Sequence, residues 1–297
     1  MKLEFLSGWS SAFSRWMVVV AMCGAFAGVN ARAQDRHGHG DGVGLEAETE
    51  WFTGRRGYLH GGLGLIKSLG EHSSIGLTGH VVRESSGEPF APSIGLELSH
   101  RLAPEWELEV LSFGLTPTTG QHAWAVGARV RREFDLGDDR TLTLFGGPTV
   151  ARVRAEDGAT GAFPHVTHWM AFGGIEWSQP HWRVAGFGSY SVFNRGVRGL
   201  DSRVDLEEMT HFIAYKNNDG FARATGGFEA AWTPTERWHF TARYAAIRLE
   251  GVRLRHAVML APAWHPVERA EVFVGVQWLL NGARGNELFA AGVNWRF

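Results

Sequence analysis

Phe289-Ala-Ala-Gly-Val-Asn-Trp-Arg-Phe297 alternates strictly: Phe289, Ala291, Val293, Trp295 and Phe297 are apolar, and Ala290, Gly292, Asn294 and Arg296 between them are small or polar. A period of two places the apolar set on one face of a β-strand. The stretch ends on an aromatic ring, where a terminus in water would fray. In lipid the demand is different, because an open sheet edge leaves N–H and C=O groups without partners. The stretch therefore predicts a last strand that pairs with the first and closes a membrane barrel.

The opposite end points the same way. Lys2 and Arg15 precede the apolar run Trp16–Val29, and Ala31-Arg32-Ala33 supplies small residues for cleavage before Gln34. A basic start, an apolar middle too short to span a bilayer comfortably and an A-x-A site predict a cleaved secretory signal over 1–33. Cys23 is the only cysteine and lies inside that run; Met22 before it is not small, which argues against a lipoprotein. Residues 34–42, with His37 and His39 among glycines, read as a flexible tail, and 43–297 as the barrel. Without disulfides, backbone pairing must hold the exported chain together.

Composition fits a barrel better than a bundle. Mean hydropathy is -0.15, the net charge is -2, and glycine (39) and tryptophan (13) are both abundant. After the signal no run approaches the ~20 apolar residues of a membrane helix. The near-zero charge and lack of a basic run argue against nucleic-acid binding. Alternating segments instead recur near 43–53, 57–67, 73–83, 92–102, 105–115, 122–134, 140–152, 166–177, 181–193, 220–233, 237–249, 252–264, 269–280 and 287–297. Each has about the length of a tilted transmembrane strand. The expectation is an all-β, up-and-down antiparallel transmembrane barrel of about fourteen strands. Twelve is the alternative, because Pro148 and Pro262 interrupt two segments.

The breaks alternate between two kinds. Leu69–His72, Ala103-Pro104, Leu136–Asp139, Gln179-Pro180, Pro234–Glu236 and His265–Glu268 are short turns, and most of the breaks between them are longer. Short turns on one rim and loops on the other characterise outer-membrane barrels. Trp106, Trp177, Trp182, Trp232, Trp238, Trp264 and Trp295 stand beside the short turns. Trp51, Tyr58, Trp124, Trp169, Tyr190, Phe221 and Trp278 fall towards the other rim, so two aromatic belts are expected.

With strands, turns and signal in place, the closing strand resembles that of Gram-negative outer-membrane barrels. Gly292, Trp295 and Phe297 match the assembly signal; Ala290 departs from its polar first position. The resemblance implies outer-membrane lipid and the barrel assembly machinery as partners. Over 43–297 the pattern resembles the monomeric, porin-like channels of about fourteen strands. That implies diffusion of small solutes without a cofactor.

Placing the larger apolar residues against lipid turns their neighbours inward. The expected pore lining is Glu97, Glu105, Glu107, Glu109, Arg129, Arg131, Glu176, Arg183, Arg223, Glu229 and Arg243, with Glu46, Glu48, Glu50, His239 and Glu271 also inside. Such walls either steer small polar solutes and ions or pair with one another and merely stabilise a filled barrel. In the longest break, Asp201–Ile213 has the capping and spacing of a short helix that could constrict the mouth. His37 and His39 lack a third ligand, so no metal site is expected. No Ser/His motif marks a catalytic residue; a lipid-acting enzyme and a structural or adhesive barrel stay as alternatives.

Overall fold

A polypeptide in lipid must satisfy every backbone polar group internally, and closing a sheet on itself does so. The computed structural model describes residues 45–54, 59–83, 91–115, 123–201, 221–251, 254–280 and 287–296. The strands are β1 (Leu45–Gly54), β2 (Leu59–Ser68), β3 (Ser73–Arg83), β4 (Ala91–Ala103), β5 (Trp106–Leu115), β6 (Ala123–Gly137), β7 (Arg140–Arg154) and the two-residue β8 (Glu156–Asp157). After them come β9 (His165–Gln179), β10 (Trp182–Phe193), the two-residue β11 (Leu200–Asp201), β12 (Ala222–Thr235), β13 (Trp238–Leu249), β14 (Arg255–Val267), β15 (Ala270–Leu280) and β16 (Glu287–Arg296). All except β8 and β11 form one closed barrel of fourteen strands, each antiparallel to its neighbours. The signal 1–33, the tail 34–42, Phe297 and most of Asp201–Ile213 lie outside the described residues.

Closure occurs where the terminal alternation requires it. Glu46 pairs with Arg296 and the ladder runs to Gly54 opposite Leu288, while the other edge of β16 pairs with β15. The two prolines do not remove strands. Pro148 faces Ala171 of β9, and the β6 register continues unbroken on either side of it, from Gly127↔Thr149 to Val130↔Gly146. Pro262 faces Phe240 while the ladder to β15 resumes at Ala263. Each lacks a donor on one edge only, so the fourteen-strand count stands. Of the short turns, Asp138 and Asp139 both adopt positive φ (53° and 56°), as the mirror-image two-residue hairpin turn demands, and Asp135 Oδ1 accepts the Gly137 N–H at 2.8 Å.

The outer surface is sorted by depth. Leu63, Leu77, Leu96, Val126, Ile175, Val184, Phe228, Leu260 and Val274 are exposed along the outward faces, as side chains in lipid should be. Outward charges such as Lys67, Arg132, Arg152 and Arg248 stand near strand ends. Beside the short turns an aromatic girdle is continuous over four strands. Trp182 stacks on Trp232 at 5.8 Å, Trp232 on Phe240 at 5.7 Å, and Trp238 lies 6.5 Å from Trp264. Arg132 sits 4.9 Å over Trp106 at the same rim. Trp124, Trp169 and Tyr190 are exposed near the opposite rim. Phe221 is not part of that second belt: it is buried, edge-on to Phe193 at 5.5 Å.

Candidate functional site

Strand parity decides what the interior contains, because directly paired residues share a face. Glu97, Glu107, Glu109, Arg129, Arg131, Glu176, Arg183, Glu229 and Arg243 all lie on the inner face. In the backbone register of β1, Glu48 pairs with Asn294 and Gly64, and Glu50 with Gly292 and Gly62. Two of the expected lining residues stand elsewhere. Glu105 belongs to the exposed turn between β4 and β5, because Ala103 pairs with Trp106 across it. Arg223 sits at a bulge where β12 begins, at the rim of the long loops, and its Nε is 2.7 Å from Glu250 Oε2.

The inward charges are paired in chains. Across β9, β10, β12 and β13 the signs alternate. Arg183 Nη1 donates to Glu176 at 3.1 Å and Arg183 Nη2 to Glu229 at 2.6 Å, while Arg243 Nε reaches the second oxygen of Glu229 at 2.7 Å. All four are buried. On β4–β6 a second group forms, with Arg129 Nε 2.6 Å from Glu109, Arg131 between Glu107 and Glu133, and Ser99 donating to Glu107 at 2.5 Å. His265 Nε2 and Glu271 stand 3.1 Å apart on β14 and β15. Desolvating a charge costs several kcal/mol unless it is paired, and adjacent strands of opposite sign meet that cost. The layer is not fully satisfied internally. Arg183 Nε, Arg243 Nη1, Gln277 Nε2 and Asn294 Oδ1 are buried without a protein partner among the described residues. Water or a solute can satisfy such polar groups.

Nearer the long loops the inner wall becomes apolar. Ala125, Ala151, Val153, Met170, Phe172, Phe187, Ile247 and Leu249 belong to one buried cluster, with Phe113 and Phe145 against it. The assignment of the larger apolar residues to lipid fails here. Phe172 and Met170 share the parity of Glu176, and Ile247 that of Arg243, so the register carries them inside. Glycine makes room for the rings. A Cβ on Gly227 would come within 2.7 Å of the Phe187 ring, and one on Gly174 would overlap Phe145.

A cap of loop residues packs over this layer. β8 and β11 pair as a small sheet, Leu200 opposite Asp157, and Val197, Leu200 and Phe221 pack with Ala155, Val166 and Phe193. Asp157 ties its own turn by accepting from Thr160 Oγ1 at 2.8 Å and from the Ala159 N–H at 3.0 Å. These bonds, Thr160's first, hold its carboxyl below the usual carboxylate value. The cap escaped the sequence reading because two-residue strands have no periodicity to detect. Outside the barrel, Ser73 Oγ lies 2.8 Å from His100 Nδ1 near the short-turn rim.

No protein-family model matches the sequence, and no curated protein matches it. Solved structures do match in fold. The chain is similar to the CymD monoaromatic hydrocarbon channel, with TM-score 0.50 and 11% identity over 92% of this chain and 93% of that one. It is similar to OccAB1 of Acinetobacter baumannii, with TM-score 0.52 and 9% identity over 81% and 68% of the two chains. A third likeness is to a bacterial polysaccharide outer membrane secretin, with TM-score 0.50 and 12% identity over 87% and 100%. At these identities the likeness is one of architecture, and it establishes the chain's fold as that of the outer-membrane channel barrels.

Proposed function

We propose that the protein is an outer-membrane channel through which small solutes diffuse, with the paired charges of the inner wall setting which solutes pass. The observation that carries this reading is the inward placement of Glu97, Glu107, Glu109, Arg129, Arg131, Glu176, Arg183, Glu229 and Arg243, together with buried donors that have no partner among the described residues. A dry structural barrel would gain more from apolar filling, since a buried ion pair is often no better than a well-packed apolar replacement. Walls that carry both signs favour small polar solutes and ions. The likenesses do not choose the solute, for one is to a monoaromatic hydrocarbon channel and another to a polysaccharide secretin.

The hydrogen bond between Ser73 and His100 is what a lipid hydrolase reading would rest on. It engages His100 through Nδ1, and no bond to an orienting acid accompanies it in the described structure, so it lacks the third member that triad chemistry uses. Single-channel recording on the purified barrel in planar bilayers tests the channel reading. Discrete conductance steps are expected. A folded, inserted barrel with no conductance and no uptake of small sugars or amino acids into loaded liposomes would overturn it.

A further inference from the structure

An outward-facing cleft of about 380 Å³ lies where β10, β12 and β13 reach the long-loop rim. Tyr190, Arg223, Ala224, Arg248, Glu250 and Gly251 line it. Tyr190, Ala224 and Arg248 have the parity of the lipid-facing Val184, Phe228 and Phe240, so the cleft opens away from the lumen. Gly251 at φ 74° brings the backbone close to a loop arginine; a Cβ there would meet Arg198 Cγ at 2.8 Å and Cδ at 3.1 Å. Two arginines, Arg223 and Arg248, line the cleft with a single carboxylate, Glu250, and the side chain of Arg198 runs past Gly251 at its edge. Arg223 is committed to that carboxylate at 2.7 Å, so Arg248 leaves the cleft positive, with Arg198 beside its Gly251 edge. Further down the outward face, the Tyr244 hydroxyl stands 2.6 Å from His256 Nδ1, a second polar pair.

At the edge of the apolar belt an outward cleft faces the headgroups of membrane lipid. We propose that this cleft holds a phosphate of the outer-leaflet glycolipid, with Arg198 and Arg248 contacting the phosphate and Tyr190 the sugar headgroup. The proposal rests on the outer-membrane reading, which puts the long loops outside. Charge complementarity supports it: an outward arginine is unfavourable in hydrocarbon but favourable beside an anionic headgroup. Planar guanidinium groups suit phosphate oxygens better than an ammonium would. Arg223, fixed by Glu250 and by its Nη1 bond to the Ser191 carbonyl at 3.1 Å, positions the cleft wall.

The test uses the full-length exported protein in detergent. Its binding to diphosphorylated lipid A is titrated beside phosphatidylglycerol and inorganic phosphate. Diphosphorylated lipid A is expected to bind best, and R198A and R248A each to weaken it about fivefold, the worth of one arginine near an anionic surface. R248K should retain more binding than R248A. Equal affinity in the wild type and the R198A/R248A double variant overturns the proposal. So does equal binding of phosphatidylglycerol, which would mark a general anionic-lipid edge, or full competition by inorganic phosphate, which would mark a free-anion site. Heat-modifiable migration on gels verifies that each variant is folded. Conductance of the same samples separates the two readings: a barrel that conducts but ignores lipid A loses only this inference, and one that binds lipid A but does not conduct loses only the channel.

Discussion

Arg183 on β10 and Glu229 on β12 meet at 2.6 Å inside the barrel, each less than a tenth exposed, and each also holds a further partner of opposite sign. Glu229 is therefore at the centre of a four-residue chain, and removing its charge strands the buried Arg243 and leaves Arg183 with Glu176 alone. Replacing Glu229 by Gln should destabilise the barrel by about 3–5 kcal/mol, the usual cost of an orphaned buried charge. The denaturant midpoint of the detergent-solubilised barrel measures it. The double variant E229Q/R243M should recover part of that loss, and no recovery would mean that the pair is not coupled.

Ion preference should follow the walls. Glu109 is buried with Arg129 as its partner. Neutralising Glu109 to Gln leaves the arginine uncompensated and should shift reversal potentials in a salt gradient towards anions. Neutralising Arg129 should shift them towards cations. Identical reversal potentials for both variants and the wild type would remove these residues from the conduction path.

Membrane depth is checked by tryptophan. Trp106, Trp182 and Trp238 should be quenched as residues of one interface, and Trp124 and Trp169 as residues of the other. Maximal quenching of all five by probes at the bilayer centre would contradict the order of the strands across the membrane.

How much of this was legible beforehand differs between residues for physical reasons. The closing strand was, because Val293 and Trp295 alternate with Gly292 and Asn294, and the register with β1 follows that alternation. Glu229 and Arg243 were placed inside by the same rule, yet their partnership depends on registers between neighbouring strands that alternation within one strand does not report. The rule that larger apolar residues face lipid fails at Phe172 and Phe187. In His168-Trp-Met-Ala-Phe172 both faces are apolar, so hydropathy has no contrast, and only the shared parity with Glu176 turns Met170 and Phe172 inward. Arg223 was misjudged because a bulge between Ala222 and Ala224 breaks parity at that point. The cap, held by non-local contacts of Val197 and Leu200, left no periodic trace.

Acidity should loosen the long-loop rim before the wall. The hydrogen bond from Arg223 is the main cause that holds the Glu250 carboxyl below its ordinary value of 4.5, with the charges of Arg223 and Arg248 adding to it against a smaller burial effect. Asp157 is shifted in the same direction. A carboxyl depressed in the folded state contributes stability above its unfolded value, and that contribution is lost as pH falls through the lower folded value. Proteolysis within 194–201 and 250–254 should therefore accelerate below about pH 4 while the barrel core stays resistant. E250Q should show fast cleavage within 250–254 at neutral pH and little further change there on acidification. A wild-type rim whose cleavage rate is flat from pH 7 to about 3 would contradict this role for the two carboxylates.

The cap itself should limit flux. Val197 and Leu200 are buried against Ala155, Val166, Phe193 and Phe221, and this cluster sits above the apolar part of the inner wall. Replacing both by Asp puts two carboxylates into that cluster, where an unpaired charge costs more than a loop's packing returns. The segment should then leave the mouth while the fourteen-strand ladder, which does not include it, stays closed. Single-channel conductance of V197D/L200D should rise above that of the wild type. Deletion within Asp201–Ile213 is expected to act in the same direction. A conductance unchanged in both variants, with normal heat-modifiable folding, would make the cap an external decoration and leave the paired charges below it as the only constriction.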